Sequence, residues 1–426
     1  MALLILIVLA AAYFVIDRQI AVKTMESLVS ADYSAQVLTY EKSGDTQRAG
    51  FALEQRQEEM LGKYEYVTPL GFSIVSRSEK WTGEKLVEVY KELLNNKHGN
   101  EIMYISKIII YPGPSEIGLT DSNVAGTHSR ERSEYRVFFD LPALVPQSME
   151  YVMKSDLSVI ELYNMDAYDD VAQAARTISH EYGHHFTMFY FLESDAAAKD
   201  SDYYTLRGFN KYEQKVFFDT VDDYYANHEW SIYEIAAEDY VQLMGSSTGK
   251  NTREYLDVYD LLTNYGEDDY QSVYNDTTVN VFPQENINIP LADEISGLRD
   301  YFCGFINLEN DMAPLEPADI GISISKKSVL GSPYYEITWD KTSTDPGAVY
   351  TLVCYDMDGN IFSVVRTVNG GEEAIARVGN YAVLVGNQIR TVDYERDITE
   401  TDRYFKIFVL LPDGRMQSSK LFYVDF

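Results

Sequence analysis

The chemistry of this chain concentrates in one run, Thr177-Ile-Ser-His180-Glu181-Tyr-Gly-His184-His185-Phe-Thr187. On a helix, residues four apart lie one above the other on the same face, so His180 and His184 present two imidazoles side by side. Two neutral ring nitrogens in that arrangement can share one Zn²⁺ at about 2.0–2.1 Å. Glu181 lies beside such an ion and can take a proton from a water that the ion polarises. His185 points about 100° away around the helix, which makes it a support for the ligands or a structural residue rather than a ligand. Gly183 costs a helix interior about 1 kcal/mol relative to Ala. Its place between the two histidines implies that something approaches the backbone closely there.

A catalytic zinc takes three protein ligands and keeps one position open. The extension H-E-x-x-H-x-x-G-x-x-H, which takes its third histidine from the end of the same run, is ruled out. Thr187 stands at its glycine position and Tyr190 at its last histidine. The better source is Tyr233-Glu234-Ile-Ala-Ala-Glu238-Asp239-Tyr240. Glu234 and Glu238 share a helix face, and like charges at that spacing repel mildly unless something compensates. A metal ion bound by Glu234 compensates. Glu238 then reads as the acceptor for the far nitrogen of His180 or His184, fixing its tautomer. Ala236 and Ala237 favour close packing of this helix. A solvated acidic face is the plain alternative in so acidic a chain.

These two motifs resemble the gluzincin metallopeptidases, which join H-E-x-x-H to a downstream helical Glu. The form Glu234-Ile-Ala-Ala-Glu238 resembles the lethal-factor-like branch of that family. The resemblance implies a zinc metalloendopeptidase, a hydrolase with His180, His184 and Glu234 as ligands, Glu181 as general base and Glu238 behind a histidine. It also implies a Tyr or His that steadies the oxyanion. The branch carries a Tyr seven residues before the ligand Glu, and here that position is Asn227. Tyr225, His228 and Tyr233 are the alternatives, and the sequence does not rank them.

The elements that must hold these residues follow from the local pattern. Phe72–Ser76 alternates like a strand. Thr82–Asn95 has helical spacing, and Met103–Tyr111 reads as a strand ended by Pro112-Gly113-Pro114. Ser115–Ser133 reads as a loop, while Tyr135–Leu141 and Ser158–Tyr163 read as strands. Asp170–Arg176 reads as the capped start of the His180 helix. Leu192–Tyr204 reads as a surface connection, Asn210–Tyr225 as helical, and Tyr233–Met244 as the helix of the third ligand. Leu291–Ile306 supplies further helix. An α+β zincin-like domain over residues 72–312 is expected, with a twisted sheet over the His180 helix and a helical second half.

The flanks differ in character. Met1–Ile16 is a continuous apolar run, short of the ~20 residues of a spanning helix and without a preceding basic residue. Residues 1–18 read as an export signal, either cleaved or kept as a single-pass anchor, which puts the remainder at the cell surface or secreted. Residues 19–71 read as a stalk or cap with a helical stretch over Ala52–Tyr64. Ala313–Ala318 reads as a linker. Residues 319–426 contain short strand-like runs punctuated by Asp358-Gly359 and Asp413-Gly414, the pattern of a β-sandwich. Trp339 in Ile-Thr-Trp-Asp and the run from Tyr404 resemble a fibronectin type III module, which implies a spacer or a surface for a partner.

The charge balance is 35 − 67 = −32 over 426 residues. It argues against nucleic acid and against electrostatic docking on anionic lipid. Acidic crowding at Asp219–Asp223 lacks the glycine and spacing of an EF-hand loop. Cys303 and Cys354 could pair in an exported protein, but two distant cysteines are more often separate buried thiols. The expected function is extracytoplasmic hydrolysis of a protein or peptide substrate. The alternative is a catalytically inactive zincin scaffold acting as a binding or adhesion protein. Intact Glu181 argues against that alternative.

Overall fold

The structure is a computed structural model. It describes residues 38–42, 45–49, 60–114, 126–140, 148–192, 198–213, 215–216, 228–251, 255–264, 286–359, 361–379, 381–385, 387–391 and 398–426. The apolar run over residues 1–16, Tyr225, Asn227 and Asp219–Asp223 lie outside them. Among the described residues no helix is long and apolar enough to cross a membrane. The chain is a mixed α+β protein with several sheets and a β-rich C-terminal half. It divides into two compact units, residues 1–90, 100–112 and 127–161 in the first, and 91–99, 113–126 and 162–426 in the second.

The first unit is built on a sheet of eight strands: β1 (Leu38–Lys42), β2 (Asp45–Ala49), β3 (Met60–Leu61), β4 (Glu65–Val67), β5 (Ser73–Ser76), β6 (Ile105–Ile110), β7 (Gly126–Asp140) and β8 (Ser148–Leu162). Their order is β2-β1-β8-β6-β5-β4-β3, with β7 paired to β8. The β5–β6 pair is parallel and the β3–β4 and β4–β5 pairs are antiparallel. Helix α1 (Glu84–Asn95) starts two residues after Thr82 and divides its residues between the two units.

Two expectations are corrected here. Met60 and Leu61, expected in a helix, form a strand, because Gly62 turns the chain and its N–H donates to Glu65 O at 2.8 Å. Residues 126–133, expected in a loop, begin the long strand β7. Their turn-prone residues yield to pairing with β8, which supplies the backbone ladder; strand preference depends strongly on such context.

The second unit contains α2 (Val171–Tyr190), α3 (Asp202–Leu206), α4 (Ile232–Met244), α5 (Ser247–Lys250), α6 (Val258–Asn264) and α7 (Leu298–Phe305). Helix α3 corrects the expected surface connection. Tyr203 and Tyr204 are buried, and the Tyr203 hydroxyl donates to Asp239 at 2.8 Å. Helices α2 and α4 share a tight aromatic interface, with Phe186 4.9 Å and Tyr182 5.6 Å from the ring of Tyr240.

The C-terminal strands follow: β9 (Ile322–Val329), β10 (Ser332–Trp339), β11 (Val349–Tyr355), β12 (Ile361–Asn369), β13 (Ile375–Gly379), β14 (Ala382–Val385), β15 (Gln388–Thr391), β16 (Arg403–Leu410), β17 (Met416–Ser418) and β18 (Phe422–Val424). One sheet is β13-β10-β9 and the other β12-β11-β16-β17, with β18 also on β16. Their side chains meet in a cluster that includes Ile337, Trp339, Leu352, Phe405 and Ile407. Cys303 and Cys354 are both free and buried.

Because side chains alternate along a strand, β11 and β16 also present an opposite face. Val353, Tyr355 and Phe408 on that face pack with Met416 and with Ile287 and Leu291 from outside the sandwich. Buried polar ties join the same parts. Asp293 Oδ2 accepts from Met416 N at 2.9 Å, and Glu294 Oε1 from Ser418 N at 2.7 Å. Asp257 accepts from Arg366 Nη1 at 3.0 Å and from Arg377 N at 2.8 Å.

Lys406 is buried on β16, and that burial pushes its amine down to about 8. Between pH 8 and the ordinary lysine range the unfolded chain binds the extra proton, so stability rises with pH there. Lys406→Met removes this cost. It should stabilise the protein at pH 7 by up to about 3 kcal/mol, and the gain should shrink as pH rises from 8 to 10, as read by chemical denaturation across that range.

Candidate metal centre

Helix α2 begins at Asp170, whose side chain accepts from Gln173 N at 3.0 Å and caps the first turn. Glycine at 183 then sets how near α4 can come. A Cβ at that position would lie 2.9 Å from Ala237 O and 3.1 Å from Ala237 Cα. The small pair Gly183 and Ala237 thus lets the two backbones approach until the histidines of α2 reach the carboxylates of α4. The residue pairs run in opposite directions along the two helices, with Arg176 against Glu238 and His184 against Glu234.

Buried polar groups fix the middle of α2 and the second half of α4. Asn96 Oδ1 accepts from Ser179 Oγ at 2.7 Å and from Ser246 N at 2.9 Å, which ties α2 to the end of α4. Ser246 Oγ also bonds Glu92 and accepts from Gly249 N at 2.8 Å. The Tyr240 hydroxyl donates to Lys97 O at 2.7 Å. On the other side of α4, Asp239 Oδ2 accepts from Tyr203 and from Arg207 Nε at 2.8 Å each.

Three donor atoms converge between the helices. His180 Nε2 is 3.1 Å from His184 Nε2 and 3.1 Å from Glu234 Oε2, and His184 Nε2 is 3.4 Å from the same oxygen. A tetrahedral ion at about 2.0–2.1 Å needs ligand–ligand edges of about 3.3–3.4 Å. The triangle fits such an ion. His180, His184 and Glu234 form a group able to hold a metal, and two imidazoles with one carboxylate suit zinc.

Behind His180, Nδ1 donates to Glu238 Oε1 at 2.9 Å. That bond leaves Nε2 free to offer its lone pair. Arg176 lies against the other Glu238 oxygen. Its charge helps to hold Glu238 below the usual carboxylate range against the upward push of burial, together with the bond to His180. Burial alone would lower His180, but the bonds to Glu234 and Glu238 raise it well above its ordinary value. Burial likewise pushes Glu234 up, and His184, His228 and the bond from His180 bring it well below. The pocket is thus poised to exchange a proton for a metal cation, and metal affinity should fall in acid.

Glu181 is buried and its Oε2 has no hydrogen-bond partner among the described residues. Burial raises its pKa, with His184 and His180 opposing. A buried carboxylate oxygen without a donor is costly, and a water on a bound ion would satisfy it. Gly126 lies directly over this side chain, where a Cβ would run into the carboxyl group.

The three oxyanion candidates separate. His228 Nε2 lies 3.6 Å from Glu234 Oε2, half-exposed on a 3₁₀ turn (His228–Trp230), and so borders the site. Tyr233 is buried in the first turn of α4, next to Glu234 in sequence and therefore about 100° around the helix from it. Tyr225 is not among the described residues. His185 packs beside Tyr182 and Phe189, away from the ligands. Arg176, Asp239 and Gly126 escaped the sequence reading. For Arg176 a signal existed, since it stands four residues before His180 on the same helix face.

Comparison with protein-family models, curated proteins and solved structures finds no match.

The Gly183–Ala237 approach is tested by Gly183→Ala. The added methyl must push the helices apart, which should cost about 1–3 kcal/mol of stability. It should also weaken metal binding at His180, His184 and Glu234 by about 10–100-fold, the usual scale for disturbing what holds the ligands. Chelator competition and thermal unfolding read the two effects.

Proposed function

We propose that the protein is a zinc-dependent endopeptidase of the gluzincin type, acting on protein or peptide substrates outside the cytoplasm. In this reading residues 72–312 are a zincin-like catalytic domain and residues 319–426 a fibronectin type III-like sandwich. The observation that carries the reading is the convergence of His180, His184 and Glu234 beside Glu181, a buried carboxylate with an unpartnered oxygen. A purely structural zinc site has no need of that carboxylate.

His180, His184 and Glu234 would hold a Zn²⁺ ion, which when bound would supply Lewis acidity and lower the pKa of a water beside it toward ~7. Glu181 accepts the proton of the attacking water at its free oxygen and then delivers it to the departing amine. Glu238 keeps the Nδ1 proton on His180, and Arg176 keeps Glu238 ionised. His228, at the edge of the ligand group, is the described residue best placed to donate to the carbonyl oxygen as it gains charge.

Glu181→Gln separates binding from chemistry. The variant should retain about one zinc per chain, while peptide cleavage falls by at least a hundredfold, the scale of general acid–base catalysis. Digestion of a peptide library by both proteins reads the outcome. Undiminished cleavage by the variant removes Glu181 from the role. Loss of zinc along with activity makes it a structural residue.

A further inference from the structure

The segment from Asn286 to Glu294 touches both the metal-bearing helices and the C-terminal sandwich. On one side Asn286 and Ile289 line a crevice together with His180 and Glu234. Asn286 Nδ2 donates to Glu229 O at 2.9 Å, on the 3₁₀ turn that carries His228. The side-chain oxygen of the same Asn286 accepts from Asn288 N at 2.9 Å, which fixes the amide's orientation. On the other side Ile287 and Leu291 are buried among Val353, Tyr355, Phe408 and Met416 of the sandwich.

The remaining residues of the segment are clamped. Pro290 O accepts from Arg207 Nη1 at 2.7 Å, and Ala292 N donates to Gln242 Oε1 on α4 at 2.8 Å. Asp293 and Glu294 accept from backbone N–H groups of β17. The strap has no regular sheet or long helix of its own, so its shape depends on what it packs against. One neighbour is the helix that carries Glu234, and the other is the sandwich.

We propose that the sandwich is a working part of the metal centre. Through the strap Asn286–Glu294 it fixes the turn that places His228 beside Glu234, with Asn286 as the positioning residue. A spacer or adhesion module needs no such connection. The inference rests on the proposed hydrolytic function only for its kinetic consequence. The mechanical linkage stands on the contacts alone.

The experiment uses the full chain and two variants, Asn286→Asp and Ile287→Ala. The first keeps the size of the side chain but removes the N–H donor to Glu229 O. The second removes the apolar anchor in the sandwich without touching the turn. Amide hydrogen exchange is followed in peptides that cover residues 228–231 and, as the control, strands β11 and β16. Both variants should speed exchange over 228–231 by about tenfold or more while β11 and β16 keep their protection. Zinc stoichiometry and affinity should be unchanged, and kcat on a cleaved peptide should fall about tenfold with KM little altered. Asn286→Gln, which restores a donor, should recover part of the protection.

Unchanged exchange over 228–231 in Ile287→Ala overturns the proposal whatever Asn286→Asp does, as does equal loosening of that turn, β11 and β16, which marks general destabilisation. Faster exchange at 228–231 in a protein that neither binds zinc nor cleaves peptide keeps the linkage and overturns the metallopeptidase reading instead.

Discussion

The approach of Gly183 to the backbone of Ala237 sets the distance on which the rest of the site depends. Helices packed through ordinary side chains lie 8–10 Å apart. Histidine and glutamate can bridge that gap singly, but here three donor atoms must meet within one coordination sphere. Removing the side chain of residue 183 and keeping alanine at 237 lets Glu234 reach both imidazoles and Glu238 reach the back of His180. The conformational cost of glycine in a helix is about 1 kcal/mol, and a metal ion held by the converging donors would outweigh it. The ties through Asn96, Ser179 and Ser246 hold the same two helices at a second point.

Electrostatics follow from that closeness. Glu181, Glu234, Glu238 and Asp239 are gathered at two adjoining helices in a poorly solvated interior. Burial of so many carboxylates is tolerable only if each has a counter-charge or donor. Arg176 serves Glu238, and Arg207 with Tyr203 serves Asp239. The two histidines serve Glu234. Glu181 keeps an oxygen without a donor among the described residues. Asp239 Oδ1 is likewise without a donor among the described residues, but of the two only Glu181 follows a metal-site histidine directly in the chain. Proteins commonly retain such locally unfavourable features where function demands them.

Much of this was legible in the sequence because the relevant spacings are short. Four-residue intervals put His180 over His184 and Glu234 over Glu238, and Asp170 marks the start of the first of these helices. Gly183, Ala236 and Ala237 announced a close contact without saying with what. The pairing of those two helices with each other is a tertiary fact, and so the partners Arg176, Asn96 and Tyr203 came only with the fold. The early part of the chain was harder to read. Residues 126–133 look like a loop until β8 supplies hydrogen bonds, and Met60 and Leu61 look helical until Gly62 folds them onto β4. The sandwich showed its alternation, but the second apolar face of β11 and β16 looked like ordinary core. Only its contact with Ile287 and Leu291 reveals it as a joint.

The central claim is that His180, His184 and Glu234 hold one catalytic zinc ion. Metal content of the zinc-replete full chain, measured beside His184→Ala and Glu234→Ala, tests it most directly. The account predicts about one zinc per chain, lost or greatly weakened in both variants while the fold is retained. Zinc held undiminished by Glu234→Ala, or no zinc in the unaltered protein, would contradict it.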